Sequence, residues 1–513
     1  MTCEASMPGT ALPELLARFR TAAERRAAWD GLWRDCYAYA LPQRDGARTT
    51  PGAQPVDSMY DGTAPDAVEQ LAASLLAELM PPWSDWLALE PAVGVSDDEI
   101  AVLAPTLEEA GRRALVQFHR SNFAVELHQC FLDLACVGTA TLAFEEAPTG
   151  DASAFRFTAV PASDVFVDAG PGGQVRGHFR VNRLRAADLL TRYPAGRLPE
   201  PMQKAITDEP ARPVQVVEAV LAAASGYAYT AFLPDGPGGG AHVVDEGHFQ
   251  TSPFLTFRWN KGAGEVYGRS PVMTALPDIK TANKVVELVL KNASMAVTGM
   301  WQADDDGVLN PHNIRLVPGA IIPKAPGSGG LTPLSTPGRF DVSELVLNDL
   351  RARIRHALLV NRLGPTQGPR MTATEILERT AESARLLGAI YGRLQAELID
   401  PLLRRALAIL VRRGEVEPFV LDRRVVEPRH QGPLARAQAR SDVQHVLLWL
   451  EQARQLGPAG AEVVDQAAVA RWLARRLGVP AELVRDPEPA AAGPELWLGD
   501  VVEAIGAAAG EAP

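Results

Sequence analysis

Residues 278–296 continue without glycine or proline, enough for about 28 Å of unbroken helix at 1.5 Å per residue. Just ahead, Ser270-Pro271 places an N-cap and a first-turn proline at a helix start, and Pro277-Asp278 restarts or kinks it. Residues 343–362 read as a second helix, beginning at Ser343. The stretch between them, 297–341, carries short apolar runs separated by turn clusters at Asp306-Gly307, Pro318-Gly319 and Pro326-Gly327. On the first helix Lys280, Lys284, Glu287 and Lys291 share a band roughly 60° wide. On the second, Glu344, Asn348, Arg351, Arg355 and Arg362 form a comparable band. Two broadly apolar helices with one narrow charged stripe each suit a packed multi-helix wall with a wet face. Solvated stripes on two ordinary surface helices have the same pattern.

The rest of the chain divides by texture. Residues 11–41 read as an amphipathic helix carrying Leu15, Leu16, Phe19, Trp29, Leu32, Trp33 and Tyr37, stopped by Pro42. A polar loop over 43–58 leads to a helix from about Pro65 to Leu79. A third spans 96–119, entered through the capping-box pair Ser96 and Glu99. From Ala140 the period changes to two: 141–144, 155–160 and 177–181 alternate between Gly, Pro and Asp boundaries, as half-buried strands do. Strand-like runs continue to about Trp259, with a turn at Gly236–Gly240. After a Gly/Pro-rich loop at 364–370, the capping box Thr372-Ala373-Thr374-Glu375 opens the longest helical signal, to about Arg413, with Pro401 as its only proline. Residues from about 440 are helical and Ala-rich. The class is α+β, helix-rich.

Composition excludes several functions. With 513 residues the chain exceeds one compact core. Its net charge of −12 opposes tight nucleic-acid binding, which needs phosphate charge neutralised by Lys and Arg. No apolar run approaches the ~20 residues of a membrane span, and no signal peptide is evident. Both observations predict a soluble, intracellular protein with no membrane partner. Cys3, Cys36, Cys130 and Cys136 lack CxxC spacing and read as buried free thiols of a reduced compartment. There is no phosphate-binding GxxxxGK[ST], no HExxH and no Gly-x-Ser-x-Gly. His119 and His128 read as structural, and Asp304-Asp305-Asp306-Gly307 as a solvated turn lacking calcium-loop spacing. No catalytic residue, cofactor or metal is expected, and the protein reads as a non-enzyme.

Six blocks in collinear order resemble the podovirus-type bacteriophage portal proteins, the head-to-tail connector family. They are Tyr60-Asp61-Gly62-Thr63-Ala64 with Pro81-Pro82-Trp83, and Ser121-Asn122-Phe123 with Gly138-Thr139-Ala140. Next come Gly264-Glu265-Val266-Tyr267-Gly268-Arg269-Ser270-Pro271 running on to Ala282-Asn283, and Leu316-Val317-Pro318-Gly319-Ala320-Ile321-Ile322. Met371–Glu375 and Leu394–Leu398 with Pro401-Leu402 complete the set. A lone Gly-Arg-Ser-Pro is weak; the ordered set, spread over about residues 25–410, is specific. Gly478-Val479-Pro480 is similar to a feature near such C-termini.

The resemblance implies a symmetric ring, typically of twelve copies, at one capsid vertex. Its regions would be a wing (1–270), stem helices (271–296 and 343–362), a clip (297–342), a tunnel loop (363–371), a long wing helix and return (372–430) and a crown (431–513). Double-stranded DNA would pass through it during packaging and ejection. Terminase, tail adaptor, major capsid and scaffolding proteins would be its other partners, in a virion assembled in the host cytoplasm. A channel must let a polyanion slide, so strong uniform positive charge would act as a brake. The expectation is sparse rings from Lys280, Lys284, Lys291, Arg351, Arg355 and Arg362, with Thr366, Gln367 and Arg370 nearest the DNA. Bridging between neighbouring subunits is the other use of these charges. Competing readings are another virion protein, such as a tail adaptor or tube, and an enzyme.

Overall fold

The computed structural model describes residues 11–44, 59–82, 84–91, 97–236, 240–298, 301–303, 331–333, 340–360, 388, 390–417, 426–430, 433–457 and 463–477. Four helices open the chain: α1 (Leu12–Ala40), α2 (Thr63–Leu79), α3 (Asp97–Arg120) and α4 (Phe123–Val137). Pro13 sits in the first turn of α1, where its missing N–H breaks no bond. The helix ends with the Leu41 N–H donating to Tyr37 O at 2.9 Å, one residue before Pro42. Helix α4 has no counterpart in the sequence reading. Residues 130–137 are all buried, so the run has neither an exposed face nor a helical period to detect.

Two antiparallel sheets follow. The smaller has the order β3-β2-β9, with β2 (Thr139–Glu146) between β3 (Phe155–Val160) and β9 (Phe254–Arg258). The larger is a five-stranded meander of β4 (Val165–Ala169), β5 (Val175–Arg185), β6 (Pro213–Ala222), β7 (Tyr227–Leu233) and β8 (His242–Phe249). Two short helices, α5 (Leu189–Arg192) and α6 (Glu200–Asp208), connect β5 to β6. The period-two pattern separates the two faces of this sheet. Phe179, Val181, Val217, Ala219, Leu221 and Phe232 pack against Leu15, Phe19 and Ala22 of α1. Val216, Val220, Tyr229 and Ala231 point the other way, into the main core. Burying each such Leu, Val or Phe contributes roughly 1.5–3 kcal/mol, so α1 is fixed along its length.

The helix pair then leaves this body. Helix α7 runs Pro271–Thr298 with Pro277 inside it, and α8 runs Phe340–Ala357. The second helix therefore starts three residues before Ser343, and it ends at Ala357 where the sequence reading carried it to 362. Leu359, at φ +59°, has left the helical region. Between the two helices, β10 (Trp301–Ala303) pairs antiparallel with β11 (Leu331–Pro333) and closes the insert at its base.

Residues 390–394 are helical and run through a π turn, Gln395–Ile399, into α9 (Asp400–Arg412). Pro401 cannot donate a backbone hydrogen bond; the wider turn just ahead of it lets the helix continue. Strand β12 (Val426–His430) pairs with β1 (Leu87–Pro91), and α10 (Pro433–Gln455) and α11 (Gln466–Leu477) complete the described chain. The α+β, helix-rich class expected from sequence is the class observed. Cys36, Cys130 and Cys136 are buried, with no disulfide among the described residues. Cys3, Arg362, Thr366, Gln367, Arg370, the Asp304–Gly307 turn, the Leu316–Ile322 block and the Thr372–Glu375 capping box lie outside the described residues. No described helix is long and apolar enough to cross a membrane.

A candidate assembly site at the root of the helix pair

Helix α7 starts where two sequence blocks touch. Ser270 Oγ accepts the Met273 N–H at 2.9 Å, so it is the N-cap the sequence predicts, and it also donates to Cys136 O at 2.8 Å. Gly138, at φ +75°, ends α4; a Cβ there would stand 2.6 Å from the Arg269 carbonyl carbon. The Gly268 N–H donates to Thr139 Oγ1 at 2.7 Å, and the Trp259 N–H to Gly138 O at 3.0 Å. Gly138-Thr139 and Gly268-Arg269-Ser270 thus form one backbone-to-backbone contact with no room for a side chain at Gly138.

The neighbouring residues of those blocks tie in the rest of the body. Tyr267 is buried with its ring 5.3 Å from that of Trp33, and its hydroxyl accepts the Val167 N–H at 3.2 Å. Arg26 lies 3.9 Å over the Trp33 ring and donates to Ala162 O and Val165 O. Arg258 Nε and Nη2 form a two-pronged bridge to Glu397 at 3.0 and 2.6 Å, while Nη1 reaches Gly173 O and Val266 O. Its charge is buried with its donors used, which is how a guanidinium is tolerated inside a protein. One side chain thereby joins β9, the turn before Tyr267 and the π turn.

Further along the pair, Asp61 and Asn283 form a hub. Asn283 Oδ1 accepts the N–H groups of Tyr60 and Asp61 at 2.7 and 3.1 Å. Asp61 Oδ1 accepts the Thr63 N–H at 2.9 Å, capping α2, and Oδ2 accepts from Arg351 Nε at 2.9 Å. Burial on its own would raise the Asp61 pKa, but the hydrogen bonds from Thr63 and Arg351 hold it below the usual carboxylate range. The start of α2 is therefore bonded to both α7 and α8.

The charged stripes have distinct fates along their length. Lys280 donates to Asp35 of α1 at 2.7 Å, a bond that raises its pKa, and lies 5.5 Å from the Tyr39 ring. Arg351 is taken by Asp61. Farther out, Lys284 and Lys291 share Glu287 at 2.9 and 2.5 Å. Arg355 is exposed. The helices themselves are joined by Arg353 of α8 and Asp278 of α7 at 3.0 Å. Around each helix, the stripe lies roughly 120–180° from that joining residue.

Beyond the hub the pair changes character. Leu288 and Leu290 on α7 and Leu345 and Val346 on α8 are exposed, Leu345 to 73%.

Sequence blocks far apart in the chain thus converge on one small region, the base of two projecting helices. The family model described as "Bacteriophage head to tail connecting protein" matches residues 12–484. The chain belongs to that family. A connecting protein of this kind is what the six ordered blocks resemble, and a match this long does not favour a tail tube, a tail adaptor or an enzyme. The chain is 25% identical over 503 residues to the probable portal protein of Bordetella phage BPP-1, covering 92% of this chain and 88% of that one. It is 26% identical over 180 residues to the portal protein of Escherichia phage T7, covering 35% and 33%. A solved neck of a native gene transfer agent particle, computed with C12 symmetry, aligns over 83% of this chain and 92% of that chain. Identity there is 16% and the TM-score 0.33, too loose a likeness to match element with element.

Sequence reasoning missed the polar groups buried inside the connecting protein's body. Asp133 of α4 accepts from Tyr37 and Arg44 at 3.0 Å each; burial raises its pKa and Arg44 opposes the rise. Glu218 of β6 accepts from Arg192 and Tyr193 at 3.0 and 2.9 Å, and Arg192 also bridges Glu145. A carboxylate inside an apolar run, as in Phe131-Leu132-Asp133-Leu134, was the available signal. His119 is exposed in the last turn of α3, and His128 lies 3.9 Å from Glu69.

Proposed function

We propose that this head-to-tail connecting protein is a portal subunit, one copy of a ring through which double-stranded DNA enters and leaves the capsid. The observation that carries the reading is the family match over residues 12–484, joined by a portal-protein relative aligned over 92% of the chain. The exposed leucines of the helix pair support it, because a lone subunit leaves them in water while side-by-side copies cover them. The role is structural.

In this reading residues 1–270 and 372–430 are the wing, 271–296 and 343–362 the stem, 297–342 the clip and 431–513 the crown. The clip meets the terminase during packaging and the tail adaptor afterwards, and major capsid and scaffolding proteins surround the wing. The 363–371 loop brings Thr366, Gln367 and Arg370 nearest the DNA. Lys280 and Arg351 already neutralise Asp35 and Asp61 within the subunit, so their contribution to a channel lining is small. An acidic chain suits a wall that a polyanion slides past.

Native mass spectrometry of the purified full chain tests the proposal. Closed rings, twelvefold for a portal, are expected. A monomer at every concentration would overturn it.

A further inference from the structure

We infer that the two outer edges of the α7–α8 pair are complementary halves of one interface between copies, with Lys284 and Lys291 on one subunit meeting Glu344 of the next. The inference rests on the ring reading above and names the surface that closes the ring.

Three observations carry it. First, Arg353 and Asp278 fix how the helices face each other. The stripe of each helix lies on the far side from that bridge, so the stripes point away from one another. In a row of identical pairs, the α7 edge of one copy therefore faces the α8 edge of the next. This is a head-to-tail contact, which closes into a ring when the rotation closes.

Second, the bridge sets a common height along the two antiparallel helices. At 1.5 Å per residue, Glu344 lies about 14 Å outward from it, between Lys284 at about 9 Å and Lys291 at about 20 Å. Asn348, at about 8 Å, is level with Lys284. Copies related by rotation about an axis running alongside the pair keep these heights, so Glu344 falls between the two lysines of its neighbour.

Third, these positions stay reachable: Lys284 and Lys291 share the single carboxylate of Glu287 on their own helix, which leaves one positive charge over. Lys284 and Lys291 have side chains 59% and 61% exposed, and Glu344 and Asn348 are exposed too. Lys280 and Arg351, on the same stripes, are held by Asp35 and Asp61. Leu288 and Leu345 stand beside the charges and supply apolar area to the same contact.

The outer lysines thus serve the joint between subunits. A channel-facing role predicts that reversing them leaves ring formation untouched; a role at the joint predicts the opposite, because like charges placed across an interface oppose association. The test compares four full-length proteins by native mass spectrometry across a concentration series: wild type, Lys284→Glu with Lys291→Glu, Glu344→Lys, and all three changes together. All the altered residues are exposed, and thermal melting of each variant checks that the body is intact. Each one-sided reversal is expected to raise the concentration needed for rings by roughly tenfold or more, with recovery toward wild type in the combined variant. Added salt is expected to weaken wild-type assembly as well. Rings forming equally well in both one-sided variants would overturn the edge assignment and leave the ring reading standing. One-sided losses without recovery in the combined variant would overturn the pairing. A wild type that forms no rings would overturn both.

Discussion

The root and the tip of the helix pair are built on opposite rules. At the root, the charged groups picked out by the sequence stripes are spent inside the subunit: Lys280 on Asp35, Arg351 on Asp61, with Asn283 holding the backbone at Tyr60 and Asp61. One to three turns outward, Lys284 and Lys291 hold only Glu287 of their own helix, and they, Glu344, Leu288 and Leu345 are all exposed. One helix pair therefore has a section tied into the subunit's body and a section that is not. A charged stripe in sequence does not distinguish them, because the deciding carboxylates, Asp35 and Asp61, come from more than two hundred positions away.

That contrast predicts large stability effects in the body and almost none at the tip. The largest is expected for Arg258→Ala, which removes the two-pronged guanidinium from Glu397, leaving it the residue-258 N–H and Arg393, and takes the donor from Val266 O while Lys261 still reaches Gly173 O. Losing one partner of a buried bridge costs about 3–5 kcal/mol, read as a lowered denaturation midpoint in urea.

Acid gives the next effect. Burial lowers the His178 pKa to about 4, so the folded chain keeps the ring neutral while the unfolded chain, near 6.5, takes up a proton first. The unfolded state then binds more protons between those values, and stability falls as pH drops from 6.5 to 4, by roughly 3 kcal/mol at most. In His178→Phe that part of the pH dependence should vanish, leaving the carboxylates' share, measured as melting temperature against pH.

A smaller loss, about 1 kcal/mol, is expected for Arg351→Ala, since its side chain is partly exposed and solvent screens the bridge. Hydrogen exchange should show α8 opening more readily. At the bottom of the scale, Leu288→Ser and Leu345→Ser should shift the unassembled chain's stability by less than about 0.5 kcal/mol, while weakening assembly. A large stability loss at the tip would break the contrast.

Much of this was legible in the sequence where local chemistry decides. The Ser270-Pro271 start holds to the atom, because a cap and a first-turn proline are satisfied by neighbouring residues alone. Strands are present at 141–144, 155–160 and 177–181, but only 155–160 alternates between buried and open positions; 141–144, in the middle of its sheet, is buried on both faces. Helix α4 was not legible, since burial on every side over residues 130–137 erases the period in its second half. The π turn before Pro401 depends on packing that no spacing rule encodes. The blocks themselves were readable as a family resemblance; their reason was not. Gly138 must be glycine because Arg269 passes against it, a contact across 131 positions that only the folded chain displays.

Cryo-electron microscopy of the assembled full chain tests the central claim most directly. The account predicts a closed ring with a bore wide enough for a DNA duplex, in which the outer halves of α7 and α8 pack side by side and cover Leu288 and Leu345. A ring whose helix pairs stand apart with those leucines in solvent, or an assembly with no bore, would contradict it.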